Sequence, residues 1–167
     1  MAGVNLPYKG TAGKGAILTL DLGPKTGWAL HQADGTITSG TVEFKPGRFE
    51  GGGMAFLRFK HWLDEVCRFA EPIAGIWFEE VRAHAGVTAA HVYGGFLAHL
   101  SAWAEQQEIP YQGVPVGTIK KHATGKGNAG KPAMIAAMVA KGHHPSDDNA
   151  ADALAILYWV LDAEVMP

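Results

Sequence analysis

Three short β-type runs follow one another near 16–22, 26–31 and 35–44, and only tight turns join them. The first turn is Gly23-Pro24-Lys25 and the second is Ala33-Asp34-Gly35. Connections this short cannot carry a chain across a sheet, so consecutive strands must pair antiparallel. The sequence therefore predicts an antiparallel meander at the start of the fold.

The rest of the chain alternates between helix-type and strand-type segments. Apolar periodicity and capping residues predict helices over 54–70, 88–107, 131–141 and 146–163, and strands over 73–81 and 111–116. Ser146 is expected to cap the last helix, and the core stripe of the first helix is expected to comprise Phe56, Leu57, Trp62, Leu63 and Val66. Strands separated by helices usually pair in parallel. The predicted class is α/β, with a mixed five-stranded sheet, three antiparallel strands then parallel ones, and helices on both faces.

Size and composition are those of an ordinary globular chain. The 167 residues are 47% hydrophobic and 18% charged, which predicts one domain over 16–167 behind a flexible segment at 1–15. The single Cys67 excludes a disulfide framework within the chain and fits a reducing compartment. The sequence does not begin with a signal-peptide pattern, and the long uncharged stretch 83–103 is interrupted by His and Gly. We therefore expect a cytoplasmic protein with no membrane partner.

The net charge of −2 does not indicate a nucleic-acid binder, and the distribution of the charges is more informative. The segment 109–146 contains no acid, and acids return at once with Asp147 and Asp148. The lysines of this segment are Lys120, Lys121, Lys126, Lys131 and Lys141. Such a strip either binds phosphates beside an acidic site or is simply a solvated lysine loop.

Asp21 is a lone carboxylate at the end of an apolar strand. Such a group is costly to bury unless a cation or a hydrogen-bond donor meets it. Strand alternation places Thr19 and Asp21 on one face, and we expect Asp21 to point out of the core. Glu79 and Glu80 are neighbours on a later strand, so only one of them can reach Asp21.

The last predicted helix brings a second acidic group. Asp148 and Asp152 lie four residues apart, on one helix face, and Asp152 interrupts a run of small apolar residues. Asp147 and Asp148 could instead serve only as favourable charges in a first helical turn, and Glu80 as an exposed strand-edge residue. Crowded carboxylates repel one another, and two hard cations such as Mg²⁺ relieve this repulsion. Such a pair of ions supports phosphodiester hydrolysis, with Mn²⁺ as a substitute.

Three motifs carry a resemblance to a known family. They are Leu20-Asp21-Leu22-Gly23 with Thr26-Gly27-Trp28, then Phe78-Glu79-Glu80-Val81, then the segment 148–155. With these three motifs in this order, the chain resembles the RuvC family of Holliday junction resolvases, which belongs to the RNase H-like superfamily. The resemblance covers about residues 16–162. The chain is most similar to the phage-type members.

The resemblance implies a set of site residues. Asp21, Glu79 and Asp152 match the family's catalytic, metal-binding acids, and its remaining acid falls on Asn149, so Asp148 or Asn149 supplies the fourth ligand. Lys120 and Lys131 match the family's lysines near the scissile strand. Further DNA-binding candidates are Lys121, Lys126 and Arg82. The bacterial members carry a junction-wedging aromatic residue at the position of Arg82, so here that wedge is absent or supplied elsewhere.

The resemblance also implies a homodimer that cuts branched DNA with no nucleotide cofactor. The predicted function is that of a metal-dependent, structure-selective endodeoxyribonuclease that resolves four-way or other branched DNA junctions by paired phosphodiester hydrolysis. The alternative is a non-catalytic RNase H-like DNA-binding or scaffold protein, which Asn149 supports.

Three other patterns are weaker. The segment 125–132 approaches a phosphate-binding P-loop but ends in Pro132 instead of Ser or Thr. His84, His91 and His99 lack a Cys partner, so packing or exposure is favoured over a zinc site. The pair Gly94-Gly95 indicates close helix packing, either in a dimer contact or within the chain.

Overall fold

The computed structural model describes residues 15–70 and 72–165. The strands are β1 Ala16–Asp21, β2 Lys25–His31, β3 Ile37–Glu43, β4 Ile73–Glu80 and β5 Tyr111–Pro115. The helices are α1 Gly53–Ala70, α2 Val87–Gln106, α3 Val116–Thr124, α4 Lys131–Ala140 and α5 Asp148–Val165. The predicted flexible segment falls, except for residue 15, outside the described residues.

The five strands form one mixed sheet in the order β3-β2-β1-β4-β5. β1 and β3 pair antiparallel with β2, whereas β4 pairs in parallel with both β1 and β5. The predicted fold class is therefore confirmed. Leu20 of β1 lies opposite Phe78 of β4, so the carboxyl ends of these strands, with Asp21 and Glu79, lie side by side at the centre of the sheet.

Each face of the sheet is covered by its own set of helices. Leu18, Leu20 and Ile76 belong to a core with Phe59 of α1 and Phe96 of α2. The opposite face packs against α3, α4 and α5 through a second core, whose strand residues are Ile17, Ala29, Trp77 and Val114. The α5 side of this core includes three alanines, Ala151, Ala153 and Ala155, which allow the helix to lie close to the strands.

Helix α3 is the element that the sequence analysis missed. Its segment contains β-branched residues and a glycine, which have low helix propensity. The signals that could have found it are apolar Ile119 and Ala123, four residues apart, and Gly125, which ends the helix in the left-handed conformation. This short helix matters because it carries Lys120.

Two local predictions were wrong. Leu57 is 61% exposed and does not belong to the core stripe of α1, whereas Phe59 is fully buried in its place. Asp147, not Ser146, caps α5, because its Oδ1 accepts a hydrogen bond from the Ala150 N–H at 3.0 Å.

The glycine pair in α2 is divided between two environments. A Cβ on Gly95 would lie 2.5 Å from the ring of Phe56, so this glycine serves helix packing within the chain. A Cβ on Gly94 would meet nothing within 4 Å. Within 15–70 and 72–165 no helix combines the length and apolarity needed to cross a membrane.

Candidate functional site

Helix α5 is held closely against the end of β1. The buried Thr19 hydroxyl donates a hydrogen bond to the Ala153 carbonyl at 2.7 Å. Gly27 on β2 leaves so little space that a Cβ there would lie 1.9 Å from the Asn149 carbonyl oxygen. These two contacts fix the first turns of α5 over β1 and β2, and they bring Asp152 to the carboxyl end of β1.

The start of α5 is also tied to the outer strand of the meander. The Thr41 hydroxyl on β3 donates to Asp147 Oδ1 at 2.6 Å, and the same oxygen caps the helix. Asp147 therefore positions α5, and it does not belong to the group of acids formed by Asp21, Glu79 and Asp152.

Asp21 lies where the buried face of β1 ends. Thr19, on the same face of β1, is completely buried because α5 covers that face. Asp21 itself is only partly buried at the edge of this covered region, and it lines an open cleft. It is thus outside the apolar core, as predicted, and close to the acids of α5.

Asp21, Glu79 and Asp152 interact electrostatically as one group. Burial, then the charges of Glu79 and Asp152 and a hydrogen bond to Glu79, raise the pKa of Asp21 to about 9. Burial also raises the pKa of Glu79. Burial, and then the charges of Glu79 and Asp148, raise the pKa of Asp152 to about 7. At neutral pH and without a cation, Asp21 therefore holds a proton that it shares with Glu79.

Asp148 lies in a different electrostatic environment. Its Oδ2 lies 2.5 Å from the Lys131 Nζ at the start of α4. The hydrogen bond from this ammonium lowers the pKa of Asp148, and the same contact raises the pKa of Lys131. The Lys131 side chain is 76% exposed, so the pair lies at the rim of the acidic cluster.

Tyr93 of α2 holds the end of β4, and sequence reasoning did not find it. Its hydroxyl donates to the Glu79 carbonyl at 2.8 Å and accepts a hydrogen bond from the Val81 N–H at 3.3 Å.

Glu80 interacts with Arg82, whose guanidinium lies 3.4 Å from the Glu80 carboxylate. Glu79 is therefore the member of the pair that interacts with Asp21.

The predicted DNA-binding residues are placed unequally around the acids. Lys120 on α3 lies close enough to Glu79 and Asp152 that its charge lowers the pKa of both. Lys131 contacts Asp148, as described above. Lys121 and Lys126 are exposed at the end of α3 and in the loop after it, and Arg82 interacts with Glu80.

A cleft of about 810 Å³ opens beside Asp21. Helices α1 and α2 contribute Ala55, Phe56, Val92 and Phe96 to its apolar wall. Asn149 of α5 also lines the cleft.

Within the described ranges, 15–70 and 72–165, no group of three or more His, Cys, Asp or Glu side chains is arranged to hold a metal ion.

The histidines considered for zinc have other surroundings. His99 stacks on Phe56, with ring centroids 4.7 Å apart, and its Nδ1 lies 2.8 Å from the Gly95 carbonyl. His84 contacts the ring of Tyr93, and His91 is exposed. These contacts assign His99 and His84 to packing.

No protein-family model matches this sequence, and no curated protein matches it either. Solved structures do match. Thermus thermophilus RuvC in complex with a Holliday junction substrate has a TM-score of 0.69 and 19% identity, over 86% of this chain and 90% of that chain. Another structure of T. thermophilus RuvC has a TM-score of 0.64 and 20% identity, over 84% of this chain and 90% of that one.

A yeast mitochondrial Holliday junction resolvase is also similar, with a TM-score of 0.56 and 12% identity, over 84% of this chain and 75% of that chain. At such low identity these similarities establish the fold. The RuvC-like, RNase H-like architecture predicted from the sequence motifs is confirmed.

Proposed function

We propose that this protein is a metal-dependent, structure-selective endonuclease that resolves branched DNA, with four-way junctions as the preferred substrate. The observation that carries the proposal is the meeting of Asp21, Glu79 and Asp152, from three separate elements, at the end of the central strands. The fold supports it, because one structural neighbour is a RuvC protein bound to a Holliday junction.

The chemistry of the acidic group fits divalent cations. Burial, together with neighbouring carboxylates around Asp21 and Asp152, makes ionisation of these three carboxyl groups costly, and hard cations that accept oxygen ligands remove this cost. Among the described residues no three acidic, His or Cys side chains are grouped as metal ligands, so these carboxylates must reorient before they hold an ion. We propose that Asp21, Glu79 and Asp152 then hold Mg²⁺, or Mn²⁺ in its place, as a pair of ions. Bound there, the ions would supply an activated water and charge stabilisation for phosphodiester hydrolysis.

The fourth ligand has two candidates with different requirements. Asn149 already lines the cleft that contains Asp21, so its amide oxygen needs only a side-chain adjustment. Asp148 can contribute a full negative charge, but only after it gives up its ion pair with Lys131. Replacing each residue in turn, as described below, separates them.

The surrounding cations would position the DNA. Lys120 is near enough to the acids to stabilise negative charge close to the cut. Lys131 would exchange Asp148 for a DNA phosphate, while Lys121, Lys126 and Arg82 would contact the backbone farther out. Two such sites in a homodimer would cut the two symmetric strands of a junction.

A non-catalytic DNA-binding protein with the same fold is the second candidate. Two observations favour it: Asn149 stands where the resembling family has an acid, and Lys131 neutralises Asp148. Such a protein would bind branched DNA without ever nicking it.

A Mg²⁺ titration with labelled DNA distinguishes the two functions. Four-way junction, flap, RNA–DNA hybrid and unbranched duplex should be incubated with the protein and with Asp21→Asn. We expect paired nicks in the junction that depend on Mg²⁺ and that Asp21→Asn abolishes while junction binding persists. Binding without nicks at any Mg²⁺ or Mn²⁺ concentration would favour the scaffold, and preferential cutting of another substrate would reassign the specificity.

A further inference from the structure

Strand β4 extends beyond its neighbour β1 at the acidic cluster. The pairing between the two strands ends at Leu20 and Phe78, one residue before Glu79. On its other side β4 stays paired with β5 as far as Glu80 and Pro115. Glu79 therefore begins a stretch of β4 that has a strand neighbour on one side only.

The backbone groups that face the missing neighbour are those of Glu79 and Val81. Backbone hydrogen-bonding groups alternate between the two sides of a strand. The Ile76 N–H points towards β5, because it donates to the Pro110 carbonyl at 2.9 Å. By this alternation the groups of Glu79 and Val81 point to the opposite side, where β1 has ended. Backbone groups withdrawn from water without a partner are costly, so another part of the chain has to meet them.

The hydroxyl of Tyr93 meets both groups. It donates to the Glu79 carbonyl and accepts from the Val81 N–H, at the distances given above. In a parallel ladder, one residue of the neighbouring strand does the same, because it donates to one residue and accepts from the residue two positions later. The hydroxyl therefore takes the place of the next residue of β1 and continues the ladder after β1 ends.

This contact holds the backbone without obstructing the carboxylate. Tyr93 packs against the core formed with α1 and α2, whereas Trp77, two residues before Glu79, belongs to the core on the α5 side. Strand alternation therefore directs the Glu79 side chain towards α5. The Glu79 charge is indeed felt there, since burial and then this charge raise the pKa of Asp152. The face on which the acids meet stays open to a ligand.

The Tyr93 hydroxyl is a fixed donor. Burial and, to a smaller extent, the charge of Glu79 raise the pKa of Tyr93 above the ordinary 10.0, so the hydroxyl keeps its proton at neutral pH. The ring of His84 lies against the Tyr93 ring, with centroids 5.0 Å apart. The position of the hydroxyl is thus set by packing, and the position of the Glu79 backbone follows from it.

We propose that Tyr93 is a positioning residue for the metal site: its hydroxyl fixes the Glu79 backbone, so only side-chain torsions of Glu79 change when a divalent cation binds. This inference rests on the proposed function, since it takes Glu79 as a metal ligand. Residues that hold a metal ligand in place typically contribute about 10–100-fold to metal affinity or activity.

The test compares Tyr93→Phe, which deletes only the hydroxyl, with Tyr93→Leu, which also removes the ring. We expect Tyr93→Phe to weaken Mg²⁺ binding to the DNA-free protein, measured by calorimetry, about tenfold, and to slow single-turnover junction cleavage by about tenfold or more. Junction binding in EDTA should stay within about twofold of the native value, because no DNA contact is removed.

Amide hydrogen exchange of the metal-free protein tests the contact itself. The Val81 amide should exchange at least about tenfold faster in Tyr93→Phe, since it loses its acceptor. The Ile76 amide, which is bonded to Pro110 in the same strand, should be unchanged. Tyr111→Phe is the matched control, because it deletes an exposed hydroxyl that donates to Glu105 at 2.9 Å, and it should change neither exchange, Mg²⁺ binding nor cleavage.

Native Mg²⁺ affinity in Tyr93→Phe, with a loss only in Tyr93→Leu, would overturn the inference, because ring packing would then be the whole role. Equal acceleration of exchange at Ile76 and Val81 would overturn it too, since the hydroxyl would then support the fold in general. A native protein that neither binds Mg²⁺ nor cuts would contradict the proposed function and the positioning role with it. A native protein that does both, with Tyr93→Phe unchanged, would contradict the positioning role alone.

Discussion

The acidic cluster has an inner and an outer part that differ in what balances their charge. The inner part comprises Asp21, Glu79 and Asp152, whose pKa values are raised by burial and, for Asp21 and Asp152, also by neighbouring carboxylates. The outer part is Asp148, whose pKa is lowered by the ammonium of Lys131. The charge of Lys120 only partly offsets the raised pKa values of Glu79 and Asp152, whereas Asp148 forms an ion pair with Lys131.

Under the proposed function, this difference predicts which acids would require a divalent cation and which would only adjust its binding. An acid with a raised pKa gains most when a metal binds, because the metal removes the cost of its ionisation. An acid already paired with lysine must first give up that partner. We therefore expect the inner acids to be indispensable and the outer pair to adjust binding.

The largest expected effect separates the two parts directly. Asp152→Asn and Asp148→Asn make the same chemical change one helical turn apart. We expect Mg²⁺-dependent cleavage of the four-way junction to fall at least about a thousandfold in Asp152→Asn and only about tenfold in Asp148→Asn. Single-turnover rates at saturating protein provide the measurement. Equal losses in the two variants would remove the distinction between inner and outer acids. Asn149→Ala in the same assay tests the fourth ligand: a loss larger than that in Asp148→Asn would assign this role to the Asn149 amide.

The second effect tests whether the placement of α5 creates the inner part. A Cβ on Gly27 would overlap the Asn149 carbonyl, so Gly27→Ala must push α5 away from the sheet. We expect the free energy of unfolding to fall by about 2–4 kcal/mol. Cleavage by the protein that remains folded should also fall, because Asp152 moves. Gly94→Ala is the control: it adds the same methyl group in open space on a helix and should be neutral or stabilising.

The third effect is a pH dependence of stability in metal-free protein. The folded-state pKa values of Asp21 and Asp152 lie above the ordinary 3.8, at about 9 and about 7. Between 3.8 and those values the folded protein binds more protons than the unfolded chain, so stability falls as the pH rises. Asp21→Asn should flatten this decline and raise the free energy of unfolding at pH 8 by about 1–3 kcal/mol.

Denaturant unfolding in EDTA across this pH range measures the decline. Asp34→Asn serves as the control, since Asp34 is an exposed turn residue whose pKa is lowered, and it should give no gain at pH 8. Mg²⁺ should stabilise the native protein more than Asp21→Asn. A stability that rises from pH 5 to pH 8 in the native protein would contradict the electrostatic description of the inner acids.

The smallest effect concerns the outer pair. Lys131→Ala should weaken junction binding to a similar degree for all sequences and reduce the slope of log K against log salt by about one. Lys141→Ala is the control, because Lys141 follows the other end of the same helix and its ammonium lies over the ring of Tyr158. This variant should leave the salt slope unchanged. An unaltered slope in Lys131→Ala would exclude it from the phosphate contacts.

Local patterns were sufficient to predict most of the fold. Short turns at 23–25 and 33–35 required antiparallel pairing, and apolar periodicity located four of the helices to within a few residues. Helix α3 was missed because its residues favour helix weakly, and burial of Ile119 against the second core stabilises it instead. Local propensity cannot report that contribution, because the contacting residues are distant in the sequence.

The sequence by itself determined that the first three strands pair antiparallel, that Thr19 and Asp21 share a face of β1, and that only one of Glu79 and Glu80 can reach Asp21. These follow from short turns and from strand periodicity, which every residue obeys regardless of its distant neighbours; the choice of Glu79 came from the family resemblance. Only the tertiary structure decided that α5 buries the face of β1 that carries Asp21, that Lys131 neutralises Asp148, and that the loop between β3 and α1 lines the same cleft. Those facts depend on how closely separate elements pack, and the Thr19–Ala153 hydrogen bond and the missing Cβ of Gly27 set that distance.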